Sequence, residues 1–270
     1  MNRTLTLNTG QTMPRLGLGT YRAHGREARQ AVLWALEAGY RLVDTALAYG
    51  NEREVGAALR QSGVPREEVF ITSKLENDDH GYANTFEACA RSLENLGTDY
   101  LDLYLIHWPV PGLRGETWRA MEQLHADGRC RAVGVSNYTI RHLDELLATS
   151  ALVPAVNQVE FHPFLYQREL LTWCRERDIV LEAYSPLVKA TRFDDPTLRD
   201  IARSHGRTPA QVLLRWHLQR GVVAIPKSVH RAWIHENAGV WDFNLPQQDM
   251  ARLDALDERR HVDWDPSDLP

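Results

Sequence analysis

Leu42 Val43 Asp44 Thr45 Ala46 Leu47 Ala48 Tyr49 Gly50 Asn51 Glu52 is the stretch on which the fold turns. An aspartate closes an apolar run, and five residues later a tyrosine stands just before the helix-like segment Asn51 to Arg60. That order is the strand-loop-helix corner of a β/α unit. The strand end holds a polar side chain rigidly while the loop admits a substrate, so such corners collect chemistry. Two more follow: Lys74 comes directly after the strand-like Val69 to Ser73, and His107 ends Tyr100 to Ile106.

Outward from that corner, strand-like and helix-like segments alternate. Thr4 to Leu7 and Gln11 to Met13 flank Asn8 Thr9 Gly10, a hairpin signature. Leu16 to Gly19 reads as a first barrel strand. A dinucleotide loop beginning at Gly17 and Gly19 fails on its own pattern, because Arg22 stands where the third glycine belongs. Glu27 to Ala38 carries Ala28, Ala31, Val32, Ala35 and Leu36 at helical spacing and ends at Gly39. Strands are predicted over Leu42–Val43, Val69–Ser73, Tyr100–Ile106, Ala132–Ser136, Ala155–Glu160, Val180–Tyr184 and Gly221–Pro226. Between them lie helical stretches such as Thr85–Leu96, Thr117–Ala126 and Pro209–Gln219. Strict alternation argues a parallel sheet, and eight strands in about 250 residues argue closure into a (β/α)8 TIM barrel. One domain over 1–270 is expected, with a hairpin at 1–14 and a polar tail at 259–270 that crosses the surface without forming an element.

Composition narrows the partners. Lys and Arg number 31 against 36 Asp and Glu, with no basic block, so nucleic-acid binding has no electrostatic support. Cys89, Cys130 and Cys174 are far apart in sequence and odd in number, which predicts buried reduced thiols and neither a zinc site nor a disulfide framework. Met1 to Gly10 lacks an apolar core, and no run reaches the ~18 apolar residues of a membrane span, so a cytoplasmic monomer is expected.

Taken singly, Asp44 could cap a helix, Tyr49 pack on the surface, Lys74 be a solvated loop charge and His107 a satisfied core histidine. Together they suit carbonyl reduction. The carbonyl oxygen needs a proton donor, and a free tyrosine with a pKa near 10 is a poor one. A neighbouring ammonium should lower that value, a carboxylate can fix the ammonium, and an imidazole can hold the oxygen in line.

In that order, Asp44, Tyr49, Lys74 and His107 resemble the catalytic tetrad of the aldo-keto reductase family, most closely the bacterial group that includes diketogluconate reductases. Gly17 Leu18 Gly19 Thr20, Tyr49 Gly50 Asn51 Glu52, Ile106 His107 Trp108 Pro109, Gly134 Val135 Ser136 Asn137, Asn157 Gln158, Tyr184 Ser185 Pro186 Leu187 and Ile225 Pro226 Lys227 Ser228 also match family signatures in order. The resemblance implies that the hairpin plugs the barrel bottom and that NADPH is the cofactor, used to reduce a small aldehyde or ketone. Gly19, Thr20 and Asp44 would then lie beside the nucleotide, and Ser136, Asn137 and Gln158 at the nicotinamide carboxamide. Tyr184 would stack on the ring, with Ser185 and Leu187 beyond it. Ile225 would border the cofactor, Lys227 and Ser228 would serve the 2′-phosphate, and Trp233, Glu236 and Asn237 the adenine. Tyr21, Leu47 and Trp108, with Tyr49 and His107, would line the substrate pocket.

Two positions depart from the family pattern. Trp233 replaces an arginine usual in NADPH-preferring members, which leaves NADH possible. Trp233 is expected to stack on adenine, with Arg231 or His230 supplying part of the missing charge. Glu76 stands where many members have tryptophan, so the wall from Glu76 to His80 is polar and acidic and favours small substrates over steroids. A non-catalytic, nucleotide-sensing reductase-like subunit is the competing reading, separated by NADPH consumption with a test aldehyde. A metal-dependent barrel enzyme would instead show ligands at strand ends that here hold Ser136, Gln158 and Tyr184.

Overall fold

The computed structural model describes residues 2–269. Two antiparallel strands, β1 (Thr4–Thr6) and β2 (Thr12–Pro14), form the N-terminal hairpin. Eight parallel strands follow: β3 (Leu18–Gly19), β4 (Leu42–Asp44), β5 (Phe70–Leu75), β6 (Leu101–Ile106), β7 (Cys130–Ser136), β8 (Val156–Glu160), β9 (Val180–Tyr184) and β10 (Val223–Ala224). Each pairs with the next, and parallel bridges from Leu16 to Ala224 and from Gly19 to Lys227 join the last strand to the first. The sheet is therefore closed, the (β/α)8 barrel that the alternation predicts.

Burial on both faces explains why the strands read as apolar runs rather than as an alternation of apolar and polar residues. Leu42, Leu103, Leu105 and Val156 fill the interior, while Val43, Tyr104, Ile106 and Val135 belong to the core shared with the helices. Leu7 and Met13 of the hairpin pack into the interior cluster, so the hairpin stops the end of the barrel opposite the strand carboxyl termini. Helices Gly25–Glu37, Glu52–Ser62, Tyr82–Leu96, Arg114–Ala126, Ile140–Leu147, Arg168–Arg175, Pro196–Ser204, Pro209–Gln219 and Arg231–Ala238 surround it. None is long and apolar enough to cross a membrane.

The differences from the sequence reading have local causes. The first and last barrel strands are two residues each, shorter than predicted, because Leu16 and Lys227 make only isolated bridges at the seam. Helix Gln247–Asp254 was not expected, since its stripe is reduced to Met250 and Leu253 with Asp249 beside them. The tail does form an element, a 3-10 turn at Pro266–Asp268 whose Asp265 side chain accepts from the Ser267 N–H. Cys89 and Cys130, distant in sequence, come to 3.8 Å Sγ to Sγ as free thiols buried between a helix and the start of β7.

Gly56 shows how closely the helical ring is packed. A Cβ there would lie 2.2 Å from the Leu96 carbonyl oxygen, a backbone atom with no room to yield. Gly56→Ala should therefore destabilise the fold by about 1 to 3 kcal/mol despite its better helix propensity, read as a lower denaturant midpoint.

Candidate active site

Asp44 ends β4 and Lys74 lies in β5, one strand over, and both are buried. The Lys74 Nζ donates to Asp44 Oδ1 at 2.7 Å, to Asp44 Oδ2 at 2.8 Å and to the Thr45 carbonyl at 2.9 Å. Burial, the largest single effect, would lower the lysine pKa, but Asp44, Tyr49 and Glu182 together outweigh it and hold the ammonium above its ordinary value.

Tyr49 reaches the same ammonium from a 3-10 turn, Leu47–Tyr49, ended by Gly50 at φ +64°. Its ring is half-buried, with the hydroxyl 3.4 Å from Lys74 Nζ. Two residues without an assigned role in the sequence reading fix this loop. The Asn51 amide donates to the carbonyls of Thr20 and Ala23, both at 2.9 Å, and accepts from Thr45 Oγ1 at 2.6 Å. Glu52 accepts from Ser73 Oγ at 2.6 Å, beside the lysine. The Tyr49-to-Glu52 motif is thus a set of cross-ties between neighbouring β/α loops. The Tyr21 and His107 rings flank Tyr49 at centroid distances of 5.1 and 5.8 Å, and half-buried Leu47 belongs to the same turn.

The electrostatics depart from expectation at Tyr49. Burial pushes the phenol up to about 12, and Lys74 only partly offsets this. The ammonium is already in contact with a carboxylate, so the field left for the phenol is small. Burial first, and Lys74 second, push His107 down to about 3, so the imidazole is neutral at ordinary pH.

The next strand ends form a second layer of hydrogen bonds. Ser136 Oγ donates to the Gln158 carbonyl at 2.8 Å. The Asn137 amide donates to the His107 carbonyl at 3.0 Å, and its Oδ1 accepts from the Tyr184 hydroxyl at 2.8 Å. Gln158 Nε2 donates to Asp44 Oδ2 and to Glu182 Oε2, both at 2.8 Å. Glu182, at the middle of β9 and fully buried, is pushed up to about 8 by burial and then by Asp44.

The remaining predicted positions are spread along the same rim. Thr20 Oγ1 donates to the Asp44 carbonyl at 2.9 Å. Gly19 lies so near Ile225 that a Cβ would sit 2.8 Å from its carbonyl oxygen. Lys227 is exposed, and the buried Ser228 accepts from the His230 N–H at 3.1 Å, ahead of helix Arg231–Ala238. Trp233 is 57% exposed and meets His230 edge-on at 4.2 Å. Arg231 does not turn toward that rim: it pairs with Glu37 of the first helix at 2.5 Å. Glu236 accepts from Thr208 Oγ1 at 2.7 Å, and Asn237 is buried. Half-buried Leu187 precedes a short turn at Val188–Ala190.

Ser185 has a different partner from the one expected. Its hydroxyl donates to Asp263 of the tail at 2.7 Å, and Lys189 reaches the same carboxylate at 2.5 Å. Glu160, at the end of β8, accepts from His162 at 2.9 Å, from His261 at 3.3 Å and from the N–H groups of Val262 and Asp263 at 2.7 and 3.0 Å. These bonds place Trp264 edge-on against Trp108 at 4.7 Å. The tail is therefore part of the mouth. The signal in the sequence was a lone tryptophan in a polar segment, which does not reveal its own partner.

The residues fit a nicotinamide dinucleotide in several ways. The side-chain Oε1 of the buried Gln158 has no donor among the described residues, the floor at Gly19 admits no side chain, and an indole and a lysine are exposed at Trp233 and Lys227. Among the described residues no group of three or more His, Cys, Asp or Glu side chains is arranged to hold a metal ion.

The family model for aldo/keto reductases matches residues 15–258. The chain belongs to the aldo/keto reductase family. It is 49% identical to the glyoxal reductase of Bacillus subtilis over 98% of this chain and 97% of that one. It is 46% identical to morphine 6-dehydrogenase of Pseudomonas putida over 98% and 95%. Among solved structures, an aldo/keto reductase from Brucella melitensis superimposes with a TM-score of 0.92 at 46% identity, covering 94% of this chain and 99% of the other. The Bombyx mori aldo-keto reductase in complex with NADP gives 0.91 at 36% identity, over 96% and 94%. As an aldo/keto reductase the protein is an NAD(P)H-dependent oxidoreductase, and its chemistry is carbonyl reduction.

Glu182 supplies a pH prediction for this aldo/keto reductase. Its folded value, about 8, lies above the ordinary glutamate value of 4.5, so the folded state holds the extra proton between the two. Stability from this group is complete below about 4.5 and is lost as pH rises toward about 8. Glu182→Gln cannot lose a proton, so its melting temperature should gain on the wild type between pH 5 and pH 8, as read by thermal scans.

Proposed function

We propose that this enzyme reduces small aldehydes and ketones, 1,2-dicarbonyls among them, with NADPH as cofactor and Tyr49 as proton donor. The observation that carries the reading is the contact of the Tyr49 hydroxyl with the buried Lys74 ammonium, which is itself held by Asp44. A phenol with a pKa near 12 stays protonated throughout the physiological range, so the donor form is always present. When the proton moves to the carbonyl oxygen, the phenolate left behind faces Lys74, whose charge then acts on an anion. His107, neutral and edge-on to Tyr49, offers an N–H that aligns the carbonyl oxygen. Bound NADPH supplies the hydride.

For the cofactor, Lys227, Ser228 and the N-terminus of helix Arg231–Ala238 would receive the 2′-phosphate, and the Bombyx mori relative was solved in complex with NADP. Tyr184, Gln158, Ser136 and Asn137 would hold the nicotinamide end, and exposed Trp233 would cover the adenine. Since Arg231 is engaged by Glu37, Lys227 carries the phosphate charge without that arginine. For the substrate, Tyr21, Trp108 and Trp264 frame the mouth, and a polar turn at Asn77–Asp79 follows β5. Glyoxal is the substrate named for the Bacillus subtilis relative, and a small dicarbonyl suits that polar wall. We place the enzyme in the cytoplasm, as a single-domain monomer, in keeping with three buried free thiols.

Tyr49→Phe should lower kcat for methylglyoxal reduction by about 10² to 10⁴-fold while NADPH still binds, checked by loss of absorbance at the nicotinamide band. Unchanged turnover would remove Tyr49 as the acid. Trp233→Arg should raise the NADPH over NADH ratio of kcat/KM by about tenfold or more, the value of one charge-assisted hydrogen bond.

A further inference from the structure

Gln158 of β8 stands in register with Ser136 of β7 on one side and Glu182 of β9 on the other. Laterally paired residues of parallel strands face the same side of the sheet, so Gln158 and Glu182 meet side by side inside the barrel. The amide donates through Nε2 to Asp44 Oδ2 and to Glu182 Oε2, each at 2.8 Å. A primary amide has two N–H groups, and both are used. Its carbonyl Oε1 has no donor among the described residues.

That orientation is imposed. Asp44 is in contact with the Lys74 ammonium and accepts only, so turning the amide over would set its oxygen against an anionic oxygen. Asp44 alone, however, satisfies one N–H. Without Glu182 the other N–H would be left in the barrel interior with no acceptor, and the amide would be free to twist about its last torsion, which is intrinsically soft. Glu182 is neither in the tetrad nor among the residues expected at the cofactor. Its second oxygen, Oε1, has no hydrogen-bond partner among the described residues, so burial of this acid is not explained by its own hydrogen bonding. The rise of its pKa to about 8 fits an uncharged acceptor beside Asp44 near neutrality.

We propose that Glu182 is a positioning residue: by accepting the second Gln158 N–H it locks that amide with the carbonyl oxygen as the one free acceptor, and so tunes the site for a nicotinamide whose carboxamide donates an N–H. This rests on the reading that Gln158 serves the nicotinamide end. A merely structural role for Glu182 would change the binding of all nucleotides alike. A positioning role changes only those able to donate to Gln158.

The test measures equilibrium dissociation constants, by fluorescence quenching, for NADPH and for its reduced 3-acetylpyridine analogue, in which a methyl ketone replaces the carboxamide and no N–H remains. Wild type should bind NADPH about tenfold more tightly than the analogue. Glu182→Gln, which keeps an acceptor oxygen, should hold that ratio within about twofold. Glu182→Leu should bring it close to one by weakening NADPH alone. Glu182→Met, of matched length and also without oxygen, should do the same and serves if the leucine variant does not fold. A ratio that survives in Leu or Met, or is lost in Gln, overturns the role of Glu182, and so does equal binding by wild type. Failure of wild type to bind NADPH at all overturns the cofactor reading with it.

Discussion

The buried ion pair of Lys74 and Asp44 is the constraint around which the upper half of this barrel is arranged. An ammonium with no solvent contact is tolerated only with a geometrically good partner and with its remaining donors filled. Here two adjacent strands supply the pair, and the Thr45 carbonyl and Tyr49 hydroxyl complete the shell. Removing one member of such a pair leaves an uncompensated charge and costs about 3 to 5 kcal/mol in general. Closure of the sheet, register between β4 and β5, and the cross-ties from Asn51 and Glu52 all keep that geometry.

The same pair sets the surroundings of Tyr49 in the role proposed for it. Neutralised by Asp44, the lysine does not pull the resting phenol into the physiological range, and burial dominates. In the proposed proton transfer its influence would grow only as negative charge develops on the phenol oxygen. Stabilisation concentrated on the state formed during proton transfer, rather than on the resting state, is what raises a rate. The neighbours of Tyr49 are legible in the sequence, but their effect on its pKa is not, because the number of partners that share one ammonium is set by the fold.

The architecture was legible because eight strand-like runs separated by helical stripes leave few alternatives, and the meeting of Asp44, Lys74 and His107 because each lies at or near a strand end, with Tyr49 in the turn after β4. Strand β9 and helix Pro209–Gln219 coincide with their predicted bounds. What stayed hidden depends on contacts between segments remote in the chain. Glu160 reads as an ordinary strand-end acid until residues 261–263 are seen to bond to it. Arg231 looks available to a phosphate until Glu37, 194 positions away, claims it. Glu182 hides in an apolar run, where nothing local announces that Gln158 is beside it. The shortened seam strands are invisible for a related reason, since their length depends on how the last strand meets the first.

The hairpin and the tail lie at opposite mouths of the barrel, which makes the two ends of the polypeptide unequal for the experimenter. Cargo fused ahead of β1 would hang below the plug, remote from Tyr49. An affinity handle attached behind Leu269 would emerge from the segment whose indole rests on Trp108, and whose last described carbonyl is engaged by Arg141 and His142. Immobilisation through the amino end keeps the entrance clear; anchoring through the carboxyl end pulls on its doorframe.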